Sequence, residues 1–365
     1  MTGPAHRVLF VDDDPQLLSG LSKALRKHRG RWAMVFAGSG EAALAEVRQA
    51  GFDVVVSDMR MPVMDGAALL GHVRDEDPTT IRMILSGFSD RTAIARALPV
   101  AHQFFNKPCD LSELTSAIDR ACALRTVFAG EALRGVTERL GALPPAPDIY
   151  HDLSLQLERT ELVSADIAAV IERDAALRAR VLTAASSPQL GAAQPFQSIA
   201  EAAAHVGIEM VVGLALASHA FALTGDRRSQ DIAIAELQQH SLEVARAARR
   251  LAASPEIAAD AFVAGLVHDL GKLVIATAVP EAHAAIEGIR ARGVGTPAAP
   301  PRSAIERSVL GTSHAEIGAY LLGCWGLPLP VLDAVAHHND AAAAAPHSVL
   351  AALRAAHAAL GLGHD

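Results

Sequence analysis

Aromatic residues make up only 4% of the 365-residue sequence while alanine is abundant, a combination that favours closely packed helices. Cysteine is rarer: Cys109, Cys122 and Cys324 lie far apart and without metal-ligand spacing. They read as reduced thiols rather than as a disulfide framework, which fits a cytoplasmic protein. Basic residues are outnumbered by acidic ones, and a net charge of −8 with a pI near 6.0 supplies no positive field for nucleic acid. No apolar run reads as long as the roughly 18–20 residues that a membrane span needs. The opening MTGPAHR leads into a strand without a signal-peptide core. Neither nucleic acid nor membrane is therefore expected as a partner. What is present is 51% apolar and 20% charged residues in a chain long enough for two or three domains.

The most informative stretch is Phe52–Gly66, FDVVVSDMRMPVMDG. Three consecutive valines followed by Ser57 and Asp58 predict a strand buried on both faces, hence a parallel sheet covered by helices. Pro62 and Gly66 mark the loop that leaves it. The same rhythm recurs through the first 125 residues. Strands are expected at Arg7–Val11, Trp32–Ala37, Phe52–Ser57, Ile81–Leu85 and Gln103–Phe105. Helices fall between them, one opened by Pro15 and one capped by Ser39. A helix from Leu111 to about Phe128 closes the series. Alternation of this kind predicts a doubly wound five-stranded parallel sheet.

In such a sheet the carboxyl ends of the strands share one edge. Asp12 and Asp13 follow the first strand, Asp58 ends the third, Ser86 the fourth and Lys107 the fifth. Crowded carboxylates repel and call for a cation, and oxygen-only ligands with room for water suit Mg²⁺. A hydroxyl and an ammonium beside a carboxylate can hold the oxygens of a phosphoryl group. The implied chemistry is attack by a carboxylate on a phosphoryl donor.

VDDDP, SDMRMPVMDG, LSG and NKP, in this order and at these separations, make residues 7–125 resemble the receiver domain of bacterial two-component response regulators. The resemblance implies that Asp58 is the phosphoacceptor. Asp12 and Asp13 would be the acidic pair, with Mg²⁺ bound by Asp13, Asp58 and the backbone carbonyl of Arg60. Ser86 and Lys107 would contact the phosphoryl group, and Phe104 occupies the position of the family's rotating aromatic. The Arg60 side chain reads as a solvated loop charge. A sensor histidine kinase is the implied partner.

Residues 125–147 change character. A helical stretch over Glu131–Leu140 runs into GALPPAP, a stiff segment that cannot continue a helix. We expect the receiver over 1–124, a linker over 125–147 and an all-α output domain over 148–365. Helical spacing appears at Leu153–Leu157, Ser164–Arg173, Ala175–Ala185, Ile199–Val206, Met210–Leu223 and Ile232–Ala253. Glu256–Pro280 is almost wholly apolar around His268 and Asp269. Further helices are expected at Ala282–Arg292, Ser303–Leu310, Ser313–Trp325, Pro330–Asn339 and Ser348–Leu360.

Most of the sixteen histidines lie in this second half. His240, His268, Asp269, Lys272, His314, His337 and His338 interrupt apolar helices, and polar groups buried there need partners. Converging imidazoles and a carboxylate could hold a divalent metal that activates water. They could equally form a neutral hydrogen-bonded network that fixes helix packing. His6, His28, His72, His205 and His219 read as surface or locally satisfied residues.

LPPAPDIYHDLSLQL, DIAAVIERDAALRARVLTAASSP, His240-Ser241, AFVAGLVHDLGKLV, HAEIGAYLLGCWGLP and AHHN make residues 135–360 resemble an HDOD domain. That family is a helical relative of the HD metal-dependent phosphohydrolases that commonly lacks a complete metal site and works through protein contacts. His240 would be the first ligand of an HD site and His268-Asp269 its central pair. The final Asp of an HD enzyme would fall in the last helix, where this chain has His357. His314 and His337-His338 are similar to residues of the cyclic-di-GMP phosphodiesterase branch, but HHND runs into AAAAAP without that branch's Gly-Tyr-Pro loop. The resemblance therefore favours a vestigial site, with the network reading preferred over a bound transition metal and over phosphohydrolase activity. The function implied is a cytoplasmic, phosphorylation-controlled response regulator. Its helical domain would act through dimerisation or contact with a downstream signalling protein.

Overall fold

The computed structural model describes residues 6–87, 96–97, 100–127, 164–186, 192, 194–222, 234–293, 300–340 and 344–361. The expected helices at Leu153–Leu157 and Glu131–Leu140, and most of the expected linker, lie outside the described residues. The chain divides into two compact units, Met1–Ala146 with Gly323–Gly326 as the first and Pro147–Leu322 with Leu327–Asp365 as the second.

In the first unit, β1 (His6–Val11), β2 (Trp32–Ala37), β3 (Val54–Asp58), β4 (Ile81–Gly87) and β5 (Gln103–Lys107) form one sheet. All pairings are parallel and the order is β2-β1-β3-β4-β5. This is the flavodoxin-like order, in which the strand direction of winding switches between β1 and β3. The Val54–Val56 run is buried completely on both faces, as a strand covered by helices on either side must be. Leu9, Val11, Val55, Leu69 and Ile84 form the core on one face, and Phe10 stacks on Phe36 at 5.2 Å within the same sheet.

The helices α1 (Pro15–Ala24), α2 (Gly40–Gln49), α3 (Gly66–Glu76) and α4 (Leu111–Val127) begin where short polar side chains satisfy their first backbone donors. Asp14 accepts from Gln16 N at 2.8 Å ahead of Pro15, and Ser39 accepts from Ala42 N at 3.2 Å. Asp65 accepts from Ala68 N at 2.8 Å. Each cap follows a strand end, so the loops are short and the strand-end side chains stay close together.

The second unit is helical throughout its described residues. Its elements are α5 (Ser164–Glu172), α6 (Ala175–Ala185), α7 (Ile199–Val206), α8 (Ile208–Ala222) and α9 (Ile234–Leu251). Then follow α10 (Pro255–Val267), α11 (Leu270–Ala278), α12 (Pro280–Gly293) and α13 (Arg302–Leu310). The last are α14 (His314–Cys324), α15 (Leu329–His337) and α16 (Val349–Ala359). Helix α9 lies against α10 and α16, and α10 also packs on α15 and α16. These four helices surround the polar cluster described below.

One expectation is corrected here. The apolar stretch Pro255–Ala278 is long and apolar enough to cross a membrane, contrary to the reading of the sequence, but its most apolar 18-residue window is 78% buried inside the protein. Within it α10 stops at Val267 and α11 starts at Leu270, with His268 and Asp269 in the break. A Cβ on Gly271 would lie 1.9 Å from the backbone oxygen of His314, so α11 approaches the start of α14 as closely as only glycine permits.

Candidate functional site

At the carboxyl edge of the sheet, Asp12 and Asp58 are buried and Asp13 is exposed. Lys107, the last residue of β5, places its ammonium 2.7 Å from Asp12 Oδ2 and also pairs with Asp58 Oδ1. Asp12 Oδ1 accepts from the Asp14 N–H at 2.9 Å, and Asp58 Oδ2 accepts from the Arg60 N–H at 2.6 Å. Burial pushes the Asp58 carboxyl upward, and the bonds from Lys107 and Arg60 only partly offset that. For Lys107, burial works against the charged form, but the hydrogen bonds to Asp12 and Asp58 outweigh it and the net shift is upward.

Ser86 is buried on β4, one residue beyond Leu85, which pairs with Asp58 in register. Phe104 is buried on β5 within the sheet core. The Arg60 side chain is exposed, as expected of a loop charge. The donors at this edge are carboxylate oxygens from Asp12, Asp13 and Asp58, with a solvent-facing side at Asp13. Among the described residues the ammonium of Lys107 is the one cation paired with them, so a small hard cation fits the donor set.

The second cluster is assembled from four helix ends and two helix faces. His240 comes from α9, His268 and Asp269 from the α10–α11 break, His314 from the start of α14, His338 from the C-cap of α15 and His357 from α16. His240 Nε2 lies 3.2 Å from His268 Nε2 and 3.4 Å from Asp269 Oδ2. His268 Nε2 is 3.3 Å from the same oxygen. Lys272 Nζ is 2.9 Å from it. The His357 ring centroid is 5.0 Å from that of His268 and 5.6 Å from that of His338.

Two of the imidazoles are oriented by the backbone. His268 Nδ1 donates to Gly265 O at 2.8 Å and His338 Nδ1 donates to Val335 O at 2.7 Å. When the ring is neutral, each Nε2 then carries a lone pair that faces the cluster. His314 is held from behind: Glu306 takes both its Nδ1 at 2.6 Å and its backbone N–H at 2.8 Å. Arg302 in turn donates to Glu306 at 2.7 Å and to Glu287 at 2.8 Å. Burial presses His314 toward the neutral form, but the nearby Asp269 carboxylate, 3.4 Å from its Nε2, and the bond to Glu306 outweigh it and raise its pKa. Burial also pushes Asp269 upward, yet the positive fields of His268 and Lys272 leave its carboxyl well below the ordinary range. His338 stays neutral because burial disfavours its charged form, helped by His268 and His314.

A family model for the HDOD domain matches residues 143–341, and one for the response regulator receiver domain matches residues 8–119. The chain belongs to the HDOD-domain family. It carries that domain behind a receiver domain, the architecture of a two-component response regulator.

An uncharacterised protein of Treponema pallidum is 27% identical to the HDOD chain over 212 residues, covering 56% of this chain and 39% of that protein. The transcriptional regulatory protein ZraR of Escherichia coli O157:H7 is 30% identical over 157 residues, covering 42% of this chain and 35% of ZraR. This chain thus spans about two fifths or less of the length of these curated relatives. The crystal structure of an HDOD domain protein of unknown function from Geobacter sulfurreducens shares the fold. The TM-score is 0.53 at 24% identity, over 64% of this chain and 78% of that one.

In the HDOD protein Lys107 contacts both Asp12 and Asp58, and the Asp14 and Arg60 amides join them. Ser86 and Phe104 are buried on the neighbouring strands and Asp13 is exposed. In the second cluster the His337-His338 pair divides. His338 faces inward, while the His337 side chain is 42% exposed and engages Asp340 and Asp333 outside the cluster. Sequence reasoning missed Glu306 and Arg302. Nothing in RSAIERSVL distinguishes a buried Arg–Glu pair from an exposed i, i+4 pair on a surface helix.

Proposed function

We propose that this protein is a phosphorylation-controlled signalling regulator in which Asp58 accepts a phosphoryl group from a sensor histidine kinase. The single observation that carries the reading is the convergence of Lys107 on both Asp12 and Asp58 at the carboxyl edge of the parallel sheet. A carboxylate oxygen of Asp58 would attack the phosphorus. The bond to the donor nitrogen breaks, its electron pair leaves with the donor imidazole, and an acyl phosphate forms on Asp58. Asp12, Asp13, Asp58 and the backbone carbonyl of Arg60 would hold Mg²⁺, which supplies neutralisation of the phosphoryl oxygens when bound. Lys107 and the Ser86 hydroxyl would take phosphoryl oxygens, and Phe104 would respond to the altered position of Ser86. The new charge biases a two-state element, as phosphorylation switches do.

The output would be protein–protein contact through the HDOD domain, either dimerisation or engagement of a downstream signalling protein, in the cytoplasm and without nucleic acid or membrane. The competing reading is an HD-type phosphohydrolase acting on, for example, cyclic dinucleotides under receiver control. It is disfavoured by His357 in the last helix and by HHND running into AAAAAP. Labelling with a small phosphodonor and Mg²⁺ tests the main reading: the wild type should be labelled and Asp58→Ala should not. Label persisting on Asp58→Ala overturns it. Cyclic dinucleotide turnover that His268→Ala removes would establish the competing one.

A further inference from the structure

We infer that His240, His268, Asp269, His338 and His357 form a binding site for one late first-row divalent metal ion, of the zinc, iron or nickel class. The site stands apart from the receiver chemistry and does not depend on it.

The cluster is not a closed hydrogen-bonded network. Asp269 Oδ1 and His338 Nε2 are buried and have no hydrogen-bond partner. They lie 3.9 Å apart, and their residues are each 1% exposed. Because the His338 proton sits on Nδ1, facing Val335 O, both of these atoms are acceptors. His314 Nε2 lies 3.4 Å from Asp269 Oδ1 without making a hydrogen bond to it. Two buried acceptors left so are costly, and a cation between them removes the cost. Lys272 does not fill this role, since its ammonium engages the other oxygen, Oδ2.

The spacing of the remaining donors is that of a coordination shell. Metal–nitrogen and metal–oxygen bonds of about 2.0–2.2 Å set neighbouring donors roughly 3–3.5 Å apart. The His240–His268, His268–Asp269 and His240–Asp269 separations are 3.2, 3.3 and 3.4 Å. His240, His268 and His357 each offer a donor within 4.8 Å of the others, as do His268, Asp269 and His338. The two triplets share His268, so one ion near it can draw on both.

The surroundings also match a metal centre. Backbone carbonyls fix the outer nitrogens of His268 and His338, which is how metal-binding imidazoles are generally held. The His314–Glu306–Arg302 chain stands beside the same Asp269 Oδ1, with His314 Nε2 3.4 Å from it. Four imidazoles with one carboxylate select a late transition ion over Mg²⁺ or Ca²⁺. The His240 side chain is 29% exposed and His357 is half-buried, so an ion has a route in from solvent. The histidine that replaces the expected acid in the last helix is on this reading a ligand, and the site ties α9, the α10–α11 break, α15 and α16 together.

The test uses the untagged full-length protein, stripped with a chelator and reloaded with Zn²⁺ in excess Mg²⁺, so that the receiver carboxylates do not retain the probe. One tightly held zinc per chain is expected, with X-ray absorption fine structure showing three or four imidazole nitrogens around it. Co²⁺ titration followed by visible absorption should show about tenfold or greater weakening in both His338→Ala and His357→Ala, with circular dichroism unchanged. If His338→Ala fails to fold, the imidazole count on the wild-type protein decides. Failure to retain zinc, which leaves water as the occupant, overturns the inference. So does zinc bound by oxygen alone, or binding that neither substitution weakens.

Discussion

The Lys107 ammonium lies 2.7 Å from a carboxylate oxygen of Asp12 and also contacts Asp58, so one cation serves two buried acids from different strand ends. Removing it leaves both acids facing each other with only backbone N–H groups as partners. Hydrogen bonds to charged groups contribute about 1.5–3 kcal/mol. Lys107→Ala should therefore slow Mg²⁺-dependent labelling by roughly 10- to 100-fold at saturating Mg²⁺, since that range of energy maps to those factors. Steady labelling rates in the variant would show that Lys107 has no part in holding the phosphoryl group.

Gly66 makes a second demand on the same edge. A Cβ there would lie 2.3 Å from the backbone oxygen of Asp58, while Gly66 N donates to Met59 O at 3.0 Å. The loop leaving β3 folds back over the strand end, and no side chain fits between. Gly66→Ala should cost about 1–3 kcal/mol in urea denaturation, as overpacking typically does. It should also reduce labelling, because Asp58 must shift. Gly20, on α1, has nothing within 4 Å of its missing Cβ. Gly20→Ala should be neutral or stabilise by up to about 1 kcal/mol through helix propensity. Equal effects of the two substitutions would contradict the role assigned to the β3 loop.

The first unit was legible because each of its signals is local. The valine run at Val54–Val56, Pro15 at the start of α1, the cap at Ser39 and the acids at strand ends all sit within a few residues of what they specify. Parallel pairing then brings the strand ends to one edge without further information. The second unit was legible as helices but not as a site. The break at His268-Asp269 goes with the approach of Gly271 to His314, a contact between residues 43 apart that local spacing does not encode. His337 and His338 are indistinguishable as adjacent letters, yet the C-terminal end of α15 sends them in different directions. The buried Glu306 likewise depends on where α13 and α14 meet, which periodicity does not encode.

The start of α14 offers a prediction with a defined pH sign. Glu316 accepts from Ser313 N at 2.8 Å, from Ser313 Oγ at 3.1 Å and from Thr312 Oγ1 at 2.7 Å. Its own N–H donates back to Ser313 Oγ at 3.4 Å, completing a capping box that places His314 as the first helical residue. Burial pushes the Glu316 carboxyl up, but these bonds and the Arg307 charge outweigh it and hold it below the ordinary 4.5. The unfolded chain thus takes up this proton at a higher pH than the folded one. The contribution is complete above the unfolded value and fades as pH falls through the folded one. Glu316→Ala should therefore cost about 1 kcal/mol at neutral pH, the usual loss of a cap. The gap between wild type and variant in urea midpoint should narrow steadily as the buffer is taken from neutrality into the acid range below 4.5. A gap that stays constant over that range would mean that the carboxylate charge contributes nothing and that Glu316 acts through packing alone.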